Sequence, residues 1–451
     1  MINLPHKFVQ NMEALLGNTQ SAKFFNCYNE PYIKCMRVNT LKAQKNNVKQ
    51  AFSSIINSEV DYENAFIVDS ETKIGSHPYH HAGAIYMQEA SAMLPALTIS
   101  YNADDLVLDM CSSPGGKSSQ IALRIPNGTL VSNEIITNRA IVLKENIERL
   151  GLTNVIVTST TPENLTRLGA IFDKVIVDAP CSGEGIFRKE PNSIKQWHEN
   201  INELNKERQL SILACAAQLC RDGGQIVYST CTFSPLENEQ VALQFLKDNP
   251  NFFFYEISKT VLDNTSAGLD NIGRRVYPHL NLGEGQYMVV FEKRQTEPYI
   301  HHKQNPHLRK LTLREHNLVQ SFFSENLTDY DIENVKLYAH DNIIVLAPPI
   351  DINTKNLYTL KYGVNLGEIV KNRFEPHHNL FSALGHKFKN KLCFSTDDPL
   401  LLSYLKGQAI DIDKENLKGY VCIMVDNIAL GGAKATNGRL NNIYPKHLRN
   451  V

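Results

Sequence analysis

The middle of the chain alternates between two hydrophobic periods. Short, nearly continuous apolar runs read as buried strands: "DLVLDM" (105–110), "GTLVSNEI" (128–135), "NVIVTS" (154–159), "DKVIVDAP" (173–180) and "GGQIVYSTC" (223–231). Helical spacing separates them, from about Lys117, over "NRAIVLKENIERLGL" (138–152) and over about 200–221. "LENEQVALQFLKDNP" (236–250) starts another helix. Strands alternating with helices predict a parallel sheet covered on both faces. Two further apolar runs, "NFFFYEI" (251–257) and "GQYMVVFEK" (285–293), have no clear helix between them and predict an antiparallel pair at one edge.

The flanks are patterned differently. Residues 1–95 are mixed, and "KRQTEPYIHHKQNPHLRK" (293–310) has the composition of a linker. A small α/β region follows to about 373. From 374 to 451, short β-like runs such as "YVCIMV" read as a small β-rich module. This divides the chain into 1–95, 96–295, 296–373 and 374–451, in keeping with 451 residues being too long for one ordinary domain.

Composition adds little to this picture, and charge somewhat more. The chain is 42% hydrophobic and 21% charged, the profile of a protein with real cores. No apolar run is long enough to span a bilayer and no leader-like segment opens the chain, which points to the cytoplasm. The formal net charge of −1 conceals a basic C-terminal third. The last twenty residues carry Lys434, Arg439, Lys446 and Arg449 and no acid, which suits either a polyanion partner or a solvated tail.

The first strand runs into a glycine loop, "LVLDMCSSPGGKSSQIA" (106–122), at the edge of the sheet where such folds bind ligands. Gly115 and Gly116 allow close backbone approach, and Glu134, ending the second strand, stands where an acid grips ribose hydroxyls. The loop resembles the end of a P-loop, but Cys111 occupies the position of that motif's first glycine, and the dinucleotide pattern G-x-G-x-x-G is absent. An adenosine ligand with fewer phosphates remains, and S-adenosylmethionine fits.

Nine cysteines, an odd number without regular spacing, are mostly free thiols in a reducing compartment. Cys27, Cys35, Cys215, Cys220, Cys393 and Cys422 read as small buried hydrophobes. Cys181 and Cys231 do not, because Pro, Ser, Gly and Thr surround them at the ends of the fourth and fifth strands. Neighbouring strands lie about 4.8 Å apart, so the two thiols can share one site. Neither has the spacing of a zinc ligand set. A dithiol redox pair stays open. The chemistry that needs a thiol beside a methyl donor is methylation of a pyrimidine carbon: a thiolate adds to carbon 6 and makes carbon 5 nucleophilic. Asp178 is the candidate acid near the ring nitrogen.

The segments "DAPCSGEG" (178–185), "STCTFSPLENE" (229–239) and "LDMCSSPGGKSSQIA" (108–122) closely resemble the RNA 5-methylcytosine methyltransferases of the NOL1/NOP2/Sun (NSUN) family. The resemblance extends to "RVNTLK" (37–42), "AIYMQEASAMLPA" (84–96) and "RRVYPHLNLGEGQYMVVFEK" (274–293). "YLKG" (404–407) and "LGGAKATNGRLNNIYPKHLR" (430–449) are similar to the PUA-like module of the RsmF (YebU) branch, which modifies a cytidine of small-subunit ribosomal RNA. The implied fold is α/β, a Rossmann-like class I S-adenosylmethionine methyltransferase with an N-terminal RNA-binding region and C-terminal α/β and PUA-like modules.

The resemblance makes Cys231 the nucleophile and Cys181 the release thiol. The donor site comprises Cys111, Ser112, Ser113, Pro114, Gly115, Gly116, Lys117, Glu134 and Asp178, with Arg139 matching a basic position of the family. Arg188, Lys189, Lys434, Arg439, Lys446 and Arg449 are expected to face RNA. His279 matches a family position near the site and could equally be a structural hydrogen-bonder. The adjacent pairs His80–His81, His301–His302 and His377–His378 are expected at the surface or on RNA and not on a metal. Two departures stand out. "TSTTPENL" (158–165) lacks the Asp that many relatives use near adenine, and Gly432–Ala433 stand where a Trp is expected. The implied partner is ribosomal RNA, with tRNA and a non-catalytic assembly role as alternatives, and the chain is expected to be a monomer. Reaching two thiols requires a flipped base.

Overall fold

The computed structural model describes residues 3–296, 304–328, 332–412 and 417–449. His301 and His302 lie outside them. The central element is a ten-stranded sheet. Its parallel part consists of β1 (Leu106–Asp109), β2 (Thr129–Asn133), β3 (Val155–Thr158), β4 (Phe172–Asp178) and β5 (Cys220–Thr230). Further strands are β6 (Phe252–Phe254), β7 (Ser266–Ala267), β8 (Arg274–Val276), β9 (Gln286–Lys293) and β10 (Thr359–Tyr362). The spatial order is β7-β8-β9-β5-β4-β1-β2-β3-β10, with β6 paired to β9. The order reverses at β1, and the glycine loop leaves from its carboxyl end.

Helices cover both faces because each presents an apolar stripe. In α2 (Thr137–Arg149) the buried Ala140, Leu143 and Ile147 fall on one face, and Leu143 and Ile147 share a core with Val107 and Leu130. On the opposite face Ile212, Leu213, Ala216 and Leu219 of α3 (Ile201–Leu219) meet Val175 and Val177. The helix that begins at Gly116 is α1 (Gly116–Ala122), and α4 (Glu239–Asp248) follows β5. The expected antiparallel pair forms as β6 with β9, but β9 also pairs with β5 and is not itself an edge.

The flanking regions are bound into this core. In the N-terminal module an antiparallel sheet runs Ile56–Val60, Ala65–Val68, Lys34–Val38, Ile85–Met87. Its Arg37 is buried and donates to Gln88 Oε1 at 2.9 Å, to the Gly116 carbonyl at 3.3 Å and to the Ser119 hydroxyl, so "RVNT" braces the glycine helix. The segment 296–373, expected as a small α/β linker domain, divides its strands between two sheets. It gives β10 to the central sheet, antiparallel to β3, while other strands join the sheet Arg309–Lys310, Leu337–His340, Ile343–Leu346, Val364–Val370, Arg373–Pro376. The C-terminal module is a five-stranded sheet ordered Lys391–Phe394, Gly419–Val425, Ile428–Thr436, Arg439–Asn442, Ile410–Asp411. Its Val421, Ile423 and Leu440 share one core with Met36, Val38 and Phe66 of the N-terminal module.

The histidine pairs are partly enclosed. His81 Nδ1 lies 3.2 Å from the Tyr444 hydroxyl, and the His378 ring packs edge-on against Tyr444 at 5.2 Å. Burial pushes both His80 and His378 down to about 3, so neither is a surface cation. Gly432 is held to glycine by close packing, since a Cβ there would lie 2.4 Å from the Phe381 ring. Among the described residues no helix is long and apolar enough to cross a membrane.

Candidate active site

A cleft of about 770 Å³ opens at the carboxyl ends of β1, β2, β4 and β5. The glycine loop forms one wall. Gly115 takes φ +108°, a conformation open to glycine, and a Cβ there would meet Leu143 at 3.0 Å. The Ser112 hydroxyl donates to the Asp109 carbonyl at 2.8 Å, and Asn146 Nδ2 donates to the Pro114 carbonyl at 3.0 Å. These bonds turn Cys111 and Ser113 toward the cleft, while Ser112, Pro114, Gly115, Gly116 and Lys117 shape the loop behind it. Burial pushes the Cys111 thiol up, so it is not a ready nucleophile.

At the end of β2, Glu134 is buried and accepts from the Ile136 amide at 3.0 Å. Arg139 reaches its other oxygen at 3.4 Å and donates to the Ser113 carbonyl at 3.1 Å, tying the acid to the loop. Beside them Ile135 and Ile136 are half exposed on the cleft, an apolar surface suited to a planar heterocycle. Thr161, Pro162 and Glu163, after β3, line the same cleft.

The two thiols stand on the far wall. Cys181 Sγ and Cys231 Sγ are 3.3 Å apart. The amides of Ala179 and Gly185 both donate at 2.8 Å to the other loop, to the carbonyls of Ser229 and Cys231 respectively, so the loops after β4 and β5 are joined backbone to backbone. The hydrogen bond with Cys231, followed by burial, pushes the Cys181 thiol well up. Asp178 collects three donors: Lys117 Nζ at 2.8 Å, the Ser229 hydroxyl at 2.7 Å and Gln286 Nε2 at 3.3 Å. Burial alone would lower the Lys117 ammonium, but Asp178 outweighs it and holds it above its ordinary value, with Cys231 adding in the same direction. A fixed positive charge thus stands beside Cys231.

Three residues expected near RNA have partners within the chain. Arg188 turns inward and makes a paired bond to Glu284, at 2.6 and 2.8 Å, and another to the Cys27 carbonyl at 3.0 Å. Burial favours spending this cation on an internal acid. His279 packs between Phe24 at 5.7 Å and Tyr277 at 5.8 Å, beside the helix His6–Asn26, and neither ring nitrogen has a hydrogen-bond partner, so it is not the structural hydrogen-bonder expected as its alternative role. Arg449 donates to the Tyr444 carbonyl at 3.1 Å and lies against Gly407, so it caps its own chain end. Lys189, Lys434, Arg439 and Lys446 remain exposed. Cys393 is exposed and Cys27 half-buried, unlike the other four cysteines expected in the core. Sequence reasoning passed over Arg208, an exposed guanidinium on the cleft rim, and the buried acids Glu184 and Glu237. Only their place inside the quoted motifs could have marked the acids.

The fold and this cleft define a class I methyltransferase with a Rossmann-like core. Four sequence models match in order along the chain: N-terminal domain of 16S rRNA methyltransferase RsmF at 4–90, 16S rRNA methyltransferase RsmB/F at 96–292, RsmF rRNA methyltransferase first C-terminal domain at 321–384, and Methyltransferase RsmF PUA domain at 385–450. The chain belongs to the RsmF family of 16S rRNA methyltransferases. It is 28% identical to Ribosomal RNA small subunit methyltransferase F of Vibrio cholerae serotype O1, over 99% of this chain and 98% of that protein. It is 27% identical to the protein of the same name from Escherichia coli O127:H6, over 99% of this chain and 97% of the relative. A methyltransferase homolog protein from Pyrococcus horikoshii is similar in structure, with a TM-score of 0.51 at 26% identity over 64% of this chain and all of that one. NSun6 from Pyrococcus horikoshii, solved with SFG, shares the fold at a TM-score of 0.58 and 21% identity, over 64% of this chain and 98% of its own.

Proposed function

We propose that this protein methylates carbon 5 of a cytidine in 16S ribosomal RNA, using S-adenosylmethionine and a transient covalent bond from Cys231 to the base. The observation that carries this reading is the sulfur pair, 3.3 Å apart, on the wall of the cleft that also holds Asp178 and the glycine loop. The residues suit the donor: Glu134 for ribose hydroxyls, Ile135 and Ile136 for adenine, and the Cys111–Ser113 turn for the amino-acid end. When bound, S-adenosylmethionine supplies an electrophilic methyl group.

The chain's own residues do the rest. Lys117 favours the thiolate of Cys231, which adds to carbon 6 and leaves carbon 5 electron-rich. Asp178 is the candidate to pass a proton, drawn from water, to the ring nitrogen, where the negative charge of the adduct gathers. After methylation the carbon 5 proton passes to water and the bond from sulfur to carbon 6 breaks, restoring the double bond. Cys181 gives its proton to the departing sulfur and regains one from water. Lys189, Lys434, Arg439 and Lys446 supply exposed cations for the phosphate backbone.

The test is methyl transfer from labelled donor to unmodified 30S subunits, free 16S RNA and bulk tRNA. Cys231→Ala is expected to lower transfer to ribosomal RNA on the order of 10³-fold or more. Cys181→Ala is expected to accumulate a covalent RNA adduct on a denaturing gel. Transfer confined to tRNA would move the substrate, and tight RNA binding without transfer to any of the three would overturn the reading.

A further inference from the structure

Below the sulfur pair each cysteine loop reaches into the other with a buried carboxylate. Glu184, on the loop of Cys181, accepts from the Thr232 hydroxyl at 2.9 Å and the Phe233 amide at 3.2 Å on the loop of Cys231. Glu237, on the loop of Cys231, accepts from the Ser182 amide at 3.0 Å. Asn202 of α3 donates to both acids, at 3.0 and 2.8 Å, and Gln209 donates to Glu237 at 2.9 Å. Glu184 and Glu237 are 3% and 0% exposed, so two carboxylates with no basic partner in these bonds are enclosed under a reaction centre. Packing alone does not call for that, since enclosing an acid without a counter-charge is costly.

The charges around the two sulfurs are unequal. Cys181 faces Cys231 and the carboxylate of Glu237. Cys231 acts on Lys117, whose ammonium is shared with Asp178. Glu237 is faced in turn by Glu184, and its carbonyl accepts from the Tyr228 hydroxyl at 2.5 Å. Arg208 stands at the rim of the same cleft. Burial, with Glu184 adding to it, raises the Glu237 carboxyl to about 6, so it is ionised above neutrality.

We infer that Glu237 is a positioning residue that assigns the two thiols their roles: its carboxylate, seated through the Ser182 amide against the loop of Cys181, keeps the proton on Cys181 and leaves Cys231 to attack the base. Asn202 and Gln209 hold it there. This assignment rests on the cytosine methyltransferase reading.

The experiment needs no RNA. In the full chain carrying Cys231→Ala, alkylation of Cys181 by iodoacetamide is followed by mass spectrometry from pH 5 to 10. Adding Glu237→Gln is expected to raise the Cys181 rate at pH 7.5 about tenfold, the change that one pKa unit gives, and Glu237→Asp is expected to restore the slow rate. An unchanged rate overturns the inference. A second comparison leaves Glu237 untouched. Cys231 in the Cys181→Ala chain must be alkylated faster at pH 7.5 than Cys181 in the Cys231→Ala chain, and the reverse order overturns the inference as well. Failure of the methyltransferase reading shows instead as absent RNA adduct and absent methyl transfer while this thiol order persists.

Discussion

Asp109 ends β1 with one carboxylate oxygen bonded to the Ser118 hydroxyl at 2.6 Å, and the other has no hydrogen-bond partner. Burial raises its carboxyl to about 6. An acid whose folded pKa lies above its unfolded value binds its proton more tightly when folded. Its favourable contribution is complete below about pH 3.8 and is lost as pH rises to about 6. At pH 7 to 8 Asp109→Asn is therefore expected to stabilise the chain by roughly 2–3 kcal/mol and to be neutral near pH 4, read as the shift in melting temperature across that range. Gly115→Ala should act oppositely, costing about 1–2 kcal/mol because φ is positive there and Leu143 leaves little room. A binding titration with S-adenosylmethionine should show weaker binding in the same variant. At this scale the sequence told which residue types meet at the cleft, because strand ends and glycine loops bring them there. It could not tell a free cation from a spent one. Arg188 and Lys189 are adjacent in the chain, yet one is locked on Glu284 and the other is exposed, and that difference depends on an acid 96 positions away.

The carboxyl end of α2 shows what an element needs from its neighbours. A helix leaves its last carbonyls without partners. Here the Ser382 hydroxyl donates to Glu148 O at 2.8 Å, Lys42 Nζ to Arg149 O at 3.1 Å, and Asn39 Nδ2 to Leu150 O at 2.9 Å. Lys42 also donates to Ala82 O at 2.8 Å, to the Ser382 hydroxyl at 3.2 Å and to Ala429 O at 3.5 Å, so one ammonium touches backbone or side chain from four stretches of the molecule. Burial pulls the Lys42 group down to about 7, so near neutrality it holds its charge only in part. Lys42→Met is expected to cost about 2 kcal/mol and to speed amide exchange around 380–384 and 429, measured by hydrogen–deuterium exchange. The strands and helices of the methyltransferase core could be read from the pattern because apolar runs and helical spacing alternate regularly there. β10 could not, since a four-residue run carries no sign of which strand it will pair with.

At the scale of the molecule, the four regions read from the sequence pattern pack into one another. The first and last share a core, and the third extends the central sheet. A chain ending at residue 295 would leave β3 as a bare edge and strip Val421 and Ile423 from Met36 and Val38. It is expected to aggregate, seen by light scattering and size-exclusion chromatography, where the full chain does not. RNA affinity should fall steeply with salt, and replacing Lys434 or Arg439 by Ala should reduce the slope by about one each if each meets a phosphate.

The place of β10 also sets a timetable for synthesis. The sheet that forms the cleft is otherwise complete when Lys293 has been added, but its outer edge at β3 is covered only after Tyr362 has emerged. At 5–20 residues per second that interval is roughly 3–14 s. For that time every new copy carries an uncovered strand, and crowded polysomes or scarce chaperones would penalise this protein before its chemistry begins.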